Sequence, residues 1–345
     1  MNVEQIKGAQ SIEFTRAPFV YERACVVGKK EGEGPLRSMF DKVVEDELFG
    51  CNTWEEAESK LQENTLANLM KKAHLDNEDI RYLFAGDLMG QLIATTFGVV
   101  DFQIPLFGIY GACSTFGEAI GLGAMTIAGG YAQKVVCMAS SHFCSAEKQF
   151  RFPLEYCTQR PCSATWTVTG CGAVVLSDQK QDTLKNSVRI KGITTGKIVD
   201  YGCKDAQNMG ACMAPAATAT IEQSLIDFCA EPEEYDKIIT GDLGYTGQTI
   251  LIDLLKKRGY DISKQHMDCG IEIFDKDKQN TNSGGSGCGC SASVLCSYIL
   301  KRMEDGDWKK VLFVPTGALM SPISFNEGKS IPGIAHAVIL ESGID

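Results

Sequence analysis

The chemistry this sequence offers gathers around one cysteine. Residues 108–130 read GIYGACSTFGEAIGLGAMTIAGG, where a strand-like segment gives way at Cys113 to a small-residue helix. The start of a helix has unpaired N–H groups and a partial positive charge, which favour a thiolate and equally suit an anion. Ser114 follows directly. The segment ASSHF (139–143) ends another strand-like run and brings Ser140, Ser141 and His142, the one histidine whose strand should end beside Cys113. Lys148 and Arg151, in EKQFR, offer positive charge or form a solvated loop. Asp87, in AGDL, follows a buried strand, where an isolated carboxylate is costly; it either caps the next helix or meets a ligand. Its echo Asp242, in TGDL, favours the capping role for both. His336 opens the last strand near the expected site. His74 and His266 fall in polar stretches and read as surface residues. With fifteen cysteines in the chain, core filling is the plain alternative for Cys113.

The elements that must hold these residues occur twice. AGDL at 85–88 returns as TGDL at 240–243, VVCMAS at 135–140 as VLFVPT at 311–316, and GAVVLS at 172–177 as HAVILE at 336–341. Between the first two, each half carries a glycine-rich turn leading into a small-residue helix, GACSTFGEAIGLGAM and GGSGCGCSASVLCSYIL. Short continuous apolar runs read as strands buried on both faces. Residues 54–73 form an amphipathic helix opened by a Thr53/Glu56 capping box, and 217–230 and 246–259 form two more. The expected architecture is α/β: a duplicated five-layer α-β-α-β-α body, with halves at 1–195 and 196–345. Segments 141–171 and 195–216 have no counterpart of similar length, as insertions that wall a site do not.

Composition narrows the function. Lys and Arg number 33 against 44 Asp and Glu, a net charge of −11, which argues against nucleic acid and against charge-driven adhesion to anionic lipid. No apolar run approaches the roughly 20 residues of a membrane span, and MNVEQIKGAQSIEF lacks the basic-then-apolar pattern of a signal peptide. The cysteines lie in apolar contexts and read as reduced core thiols; Cys288 and Cys290 form a CxC with no second pair to complete a zinc site. No metal site or resident cofactor is expected.

AGDLMGQ (85–91), FGIYGACST (107–115), ASSHF (139–143), EKQFRFPLEY (147–156), WTVTGCGAVVLS (166–177), GGSGCGCSAS (284–293), TGALMSP (316–322) and SIPGIAHAV (330–338) carry a family likeness. The duplicated body resembles the thiolase superfamily of thiolases and acyl carrier protein condensing enzymes. More narrowly, these stretches resemble the stage V sporulation protein AD family of endospore-forming bacteria. That resemblance implies binding of dipicolinic acid (pyridine-2,6-dicarboxylate) or its calcium chelate. The chain would be a peripheral subunit at the forespore or spore inner membrane, working with membrane proteins of the stage V sporulation A operon. The fold implies a homodimer. Ligand carboxylates would meet Cys113, Ser114, Ser140, Ser141 and His142, with charge from Lys148 and Arg151, Asp87 on a protonated group or the calcium, and His336 nearby.

The same resemblance argues against catalysis. Thiolases place a histidine in a Gly-His-Pro turn where this chain reads GGSGCGCSAS, and condensing enzymes place one where it reads TGDLGYTG. The late Cys-Gly-Gly-Gly turn is replaced by SIPGIAH. Without those partners the oxyanion hole and proton transfers are incomplete. Two other readings stand beside binding: an acyltransferase carrying its acyl group on Cys113, and a scaffold with a relic pocket.

Overall fold

The computed structural model describes residues 5–150, 159–181 and 186–343, and two sets of five strands run through them. The first set is β1 (Phe19–Gly28), β2 (Tyr82–Gly86), β3 (Leu106–Gly108), β4 (Lys134–Ser141) and β5 (Gly170–Ser177). The second is β6 (Val188–Thr194), β7 (Lys237–Thr240), β8 (His266–Asp268), β9 (Lys310–Val314) and β10 (Ala337–Ser342). Their orders match, β3-β2-β4-β5-β1 and β8-β7-β9-β10-β6. So do their directions. In the first sheet β2 runs parallel to β3 and β4, while β5 is antiparallel to β4 and β1. In the second, β7 runs parallel to β8 and β9, while β10 is antiparallel to β9 and β6.

Each echo in the sequence falls on topologically equivalent strands: the ends of β2 and β7, β4 with β9, and β5 with β10. The repeat unit starts at β6, so the division expected after residue 195 falls one strand late. β1 and β6 meet at the pair Phe19–Arg189.

Side-chain alternation builds the layers. In β4, Val135, Cys137 and Ala139 face an inner core while Val136 and Met138 face an outer one. In β10, Val338 and Leu340 face the same inner core while Ala337 and Ile339 face outward on the other side. Both faces of each sheet are covered, which explains runs that are apolar throughout instead of alternating. The inner core holds α2 (Thr115–Ala128) and α5 (Cys288–Val294), one from each half. Leu61, Leu66 and Leu69 of α1 (Trp54–Ala73) cover the first sheet's outer face. Met213 and Leu225 of α3 (Met209–Phe228) and Leu251 and Leu255 of α4 (Gly244–Lys257) cover the second. These are the five layers expected.

Helix starts follow their caps. At α1, Glu56 N donates to Thr53 Oγ1 at 3.2 Å and Thr53 N to Glu56 Oε2 at 3.2 Å. α3 begins earlier than expected because Asn208 caps it, accepting from Ala211 N, and because Pro215, which reads as a breaker, is carried inside the helix. α4 also starts early, since Asp268 of β8 accepts from Leu243 N at 2.8 Å and Gly244 N at 3.0 Å. α5 lies directly on β5: a Cβ on Gly172 would stand 2.3 Å from the Ala292 carbonyl oxygen.

Candidate functional site

β3 ends at Gly108, and the chain turns into α2 through a knot of its own hydrogen bonds. Ser114 N and Oγ both donate to Gly111 O, at 3.0 and 2.7 Å, and Thr115 Oγ1 donates to Ala112 O at 2.6 Å. Ala112 is forced to a φ of 49°, a left-handed conformation costly for a residue with a Cβ. Strand Thr316–Ala318 crosses this turn. A Cβ on Gly317 would meet Gly111 O at 2.3 Å, Ser114 N at 3.1 Å and Cys113 N at 3.3 Å. The helix mouth is therefore closed by backbone and does not stand open as an anion receptor.

Cys113 instead faces Asp242, from the end of β7. The Asp242 carboxyl is fully buried, accepting from Thr316 Oγ1 at 2.6 Å and Gly287 N at 3.0 Å. Burial pushes it up to about 7, against the bonds from Thr316, Cys113 and Gly287. Burial likewise drives the Cys113 thiol well above its ordinary range, and the neighbouring Asp242 charge adds to that. Against the thiolate expected from the helix position, desolvation and a carboxyl outweigh a helix end whose Ser114 and Thr115 amides are already bonded to Gly111 O and Ala112 O.

Beside the sulfur lies a cavity of about 60 Å³, room for roughly four waters. Leu88, Tyr110, Phe150, Met209 and Met320 supply apolar wall, and Thr165, Thr167, Ser286 and Glu147 the polar groups. The Thr165 hydroxyl is buried with no partner among the described residues. Glu147 pairs with Arg160 at 3.2 Å. The unmatched segments do build this wall, through Ala146, Glu147, Phe150, Thr165, Thr167 and Met209.

Cys113 lines the cavity; the other described residues expected with it do not. The phase of β4 explains three of them. Ser140 and His142 share the outer face with Val136 and Met138, pointing toward α1 and away from α2. Ser140 Oγ donates to Glu58 Oε1 at 2.8 Å and accepts from Gln62 Nε2 at 2.8 Å. His142 sits between Phe49 and Trp54, donating from Nε2 to Glu47 O at 2.9 Å and accepting from Cys144 N at Nδ1. Burial holds it below the ordinary imidazole range. Ser141 faces inward, but bonds Val168 O at 2.7 Å and accepts from Gly289 N of α5.

Asp87 is a cap, accepting from Met89 N and Thr95 N at 2.8 Å and from Thr95 Oγ1 at 2.6 Å. Ser114 is consumed by its own turn. Lys148 pairs with Glu55 at 2.6 Å on the surface. Arg151 lies outside the described residues. His336 packs behind α2, its Nδ1 3.4 Å from Gly196 N, and burial lowers it to about 4. His266, expected on the surface, is half-buried: its Nε2 meets Thr240 Oγ1 at 3.0 Å, and burial lowers it also to about 4.

Asp242 is the site residue that sequence reasoning passed over. Its likeness to Asp87 suggested a cap, but Asp268 caps α4 and leaves Asp242 free to face the sulfur. The usable signal was its position, in the segment where condensing enzymes carry a histidine.

A family model described as Stage V sporulation protein AD matches residues 8–341. Stage V sporulation protein AD of Bacillus subtilis (strain 168) is 40% identical over 337 residues, covering 98% of each chain. Among solved structures, 3-oxoacyl-[acyl-carrier-protein] synthase III from Aquifex aeolicus VF5 aligns with a TM-score of 0.53 at 13% identity, over 94% of this chain and 99% of that one. An OleA variant from Xanthomonas campestris aligns with a TM-score of 0.52 at 13% identity, over 97% and 99%. At those identities the likeness establishes the thiolase-like fold alone.

Proposed function

The chain belongs to the Stage V sporulation protein AD family, and from that premise we propose that its Cys113 cavity binds dipicolinic acid as the calcium chelate and does no covalent chemistry. The observation that carries this reading is the partner of the sulfur. A nucleophilic cysteine needs an imidazole or another cationic or basic neighbour to ionise it, and Asp242 does the reverse. A thiol and a half-protonated carboxyl offer hydrogen bonds to a ligand, as does the unpartnered Thr165 hydroxyl.

The wall's charge selects the form of the ligand. Asp242 and Glu147 line it, and no lysine, arginine or histidine does among the described residues. A free dianion meets repulsion there, whereas a calcium-neutralised chelate does not. Leu88, Phe150 and Met320 provide flat apolar contact for a pyridine ring, and the methionine side chains can shift to admit it.

In this role the protein is a homodimeric peripheral subunit of a transport complex at the forespore or spore inner membrane, held there by membrane proteins of the same operon. Among the described residues no helix is long and apolar enough to cross a membrane. The edge strand β3 exposes Leu106 and Phe107, with Phe97 and Val100 beside it, an apolar strip suited to a second copy.

Calorimetric titration with dipicolinate, with and without calcium, tests the reading. Saturable heat that requires calcium and falls at least about tenfold in Thr165→Val supports it. Acetoacetyl-CoA cleavage lost in Cys113→Ser would establish the acyltransferase instead, and silence in both assays would leave a scaffold.

A further inference from the structure

A second cavity lies on the other side of strand Trp166–Thr167. Thr165 and Thr167 face the Cys113 cavity, while Trp166 and Thr169 face this one, of about 230 Å³, and the two share no lining residue. Its floor is Glu31. That side chain is 1% exposed. Oε1 accepts from Thr169 N at 3.0 Å, and Oε2 has no hydrogen-bond partner among the described residues. Gly28 leaves the space open over it, since a Cβ there would stand 3.0 Å from Oε2. Leaving a buried carboxyl oxygen without a donor is costly, so an orphan at the base of a cavity marks a place for a donor from outside.

The remaining groups define that donor. Both His142 nitrogens are engaged. Lys30 Nζ donates to Gln279 O at 2.8 Å and stands 4.1 Å over the Trp166 ring, with Arg160 5.1 Å from the same ring. A bare cation is drawn to Glu31 but repelled by Lys30 and Arg160. A ligand carrying both charges is not. Lys29, exposed on the wall and in no ion pair among the described residues, can meet an anionic end, while the stacked rings of Phe143 and Trp166, 3.9 Å apart, flank the space between.

We propose that this cavity is a second ligand site for a small zwitterion, whose ammonium donates to Glu31 Oε2 and whose carboxylate faces Lys29. The proposal does not rest on what the Cys113 cavity binds.

Glycine is the probe, with methylammonium and acetate as its two halves, titrated into the full chain by calorimetry and ligand-observed NMR. Glycine binds saturably, and each half-probe binds at least about tenfold more weakly. Burial holds Glu31 at about 7, and the ligand takes the ionised form, so glycine affinity rises with pH through about 7 and falls below it. The other groups facing the cavity do not share that window. Lys29, Lys30 and Glu47 also face it with Arg160 beside them; burial lowers Lys30 and His142 from their ordinary values and raises Cys144 to about 11. Glu31→Gln weakens glycine at least about tenfold and flattens the pH profile. Lys29→Ala, on the surface, weakens glycine and leaves methylammonium unchanged. No saturable glycine binding, equal binding of either half-probe, competition by dipicolinate, or glycine binding untouched in both variants overturns the proposal.

Discussion

Burial holds both Cys113 and Asp242 toward their protonated forms, and the Asp242 charge adds to this for the thiol, with measurable effects. Iodoacetamide should modify Cys113 slowly at about pH 8, where an ordinary thiol is already partly ionised. Asp242→Asn removes the carboxylate and should raise that rate by about tenfold or more, read by peptide mass mapping of the alkylated site. The same substitution changes stability with a definite sign. Asp242 is raised to about 7 in the folded chain, against about 3.9 unfolded. Over that window the folded state binds more protons, so unfolding free energy declines as pH rises from about 4 to about 7. Asp242→Asn should reduce the decline by at least about 1 kcal/mol, measured as urea midpoints at the two ends of the window. A wild-type profile no steeper than the variant's would contradict the burial argument. His266 and His336, lowered to about 4, act oppositely between about 4 and 6.5, which is why the comparison must be made against the variant.

Packing of whole elements is set by where the backbone comes closest. α5 touches β5 through Gly172, so Gly172→Ala should destabilise by about 3 kcal/mol as helix and strand are forced apart, seen as a drop in thermal midpoint. Thr53→Ala removes half of the α1 capping box and should cost about 1 kcal/mol by the same measurement. These features also show why much of the fold was legible in the sequence. Strands buried on both faces leave continuous apolar runs, and the two copies kept enough of them to align. The phase of β4 was legible too. If Ala139 faces α2, then Ser140 and His142 face the opposite way, and counting by twos along the strand would have removed His142 from the Cys113 site. Asp242 was not legible in that way. Its direction depends on Asp268 supplying the cap for α4, and Asp268 belongs to a different strand, brought alongside only by the sheet.

At the scale of the whole molecule, Phe97, Val100, Leu106 and Phe107 are exposed at the edge where a partner copy is proposed. Phe107→Asp should convert a dimer to monomers in sedimentation, and an unchanged mass would place the contact elsewhere. Tyr110 belongs to that edge and also lines the Cys113 cavity, so the monomeric variant should bind ligand in that cavity more weakly as well. Inside the molecule, β1 and β6 meet at one residue pair, while the inner core is shared between α2 and α5. Neither half owns a finished interior. A lone half would leave one face of its sheet wet, so an ancestral single copy could persist only by clasping a twin at sufficient concentration. Joined in one chain, the two halves meet intramolecularly, the first placing a thiol at the centre and the second a carboxyl against it.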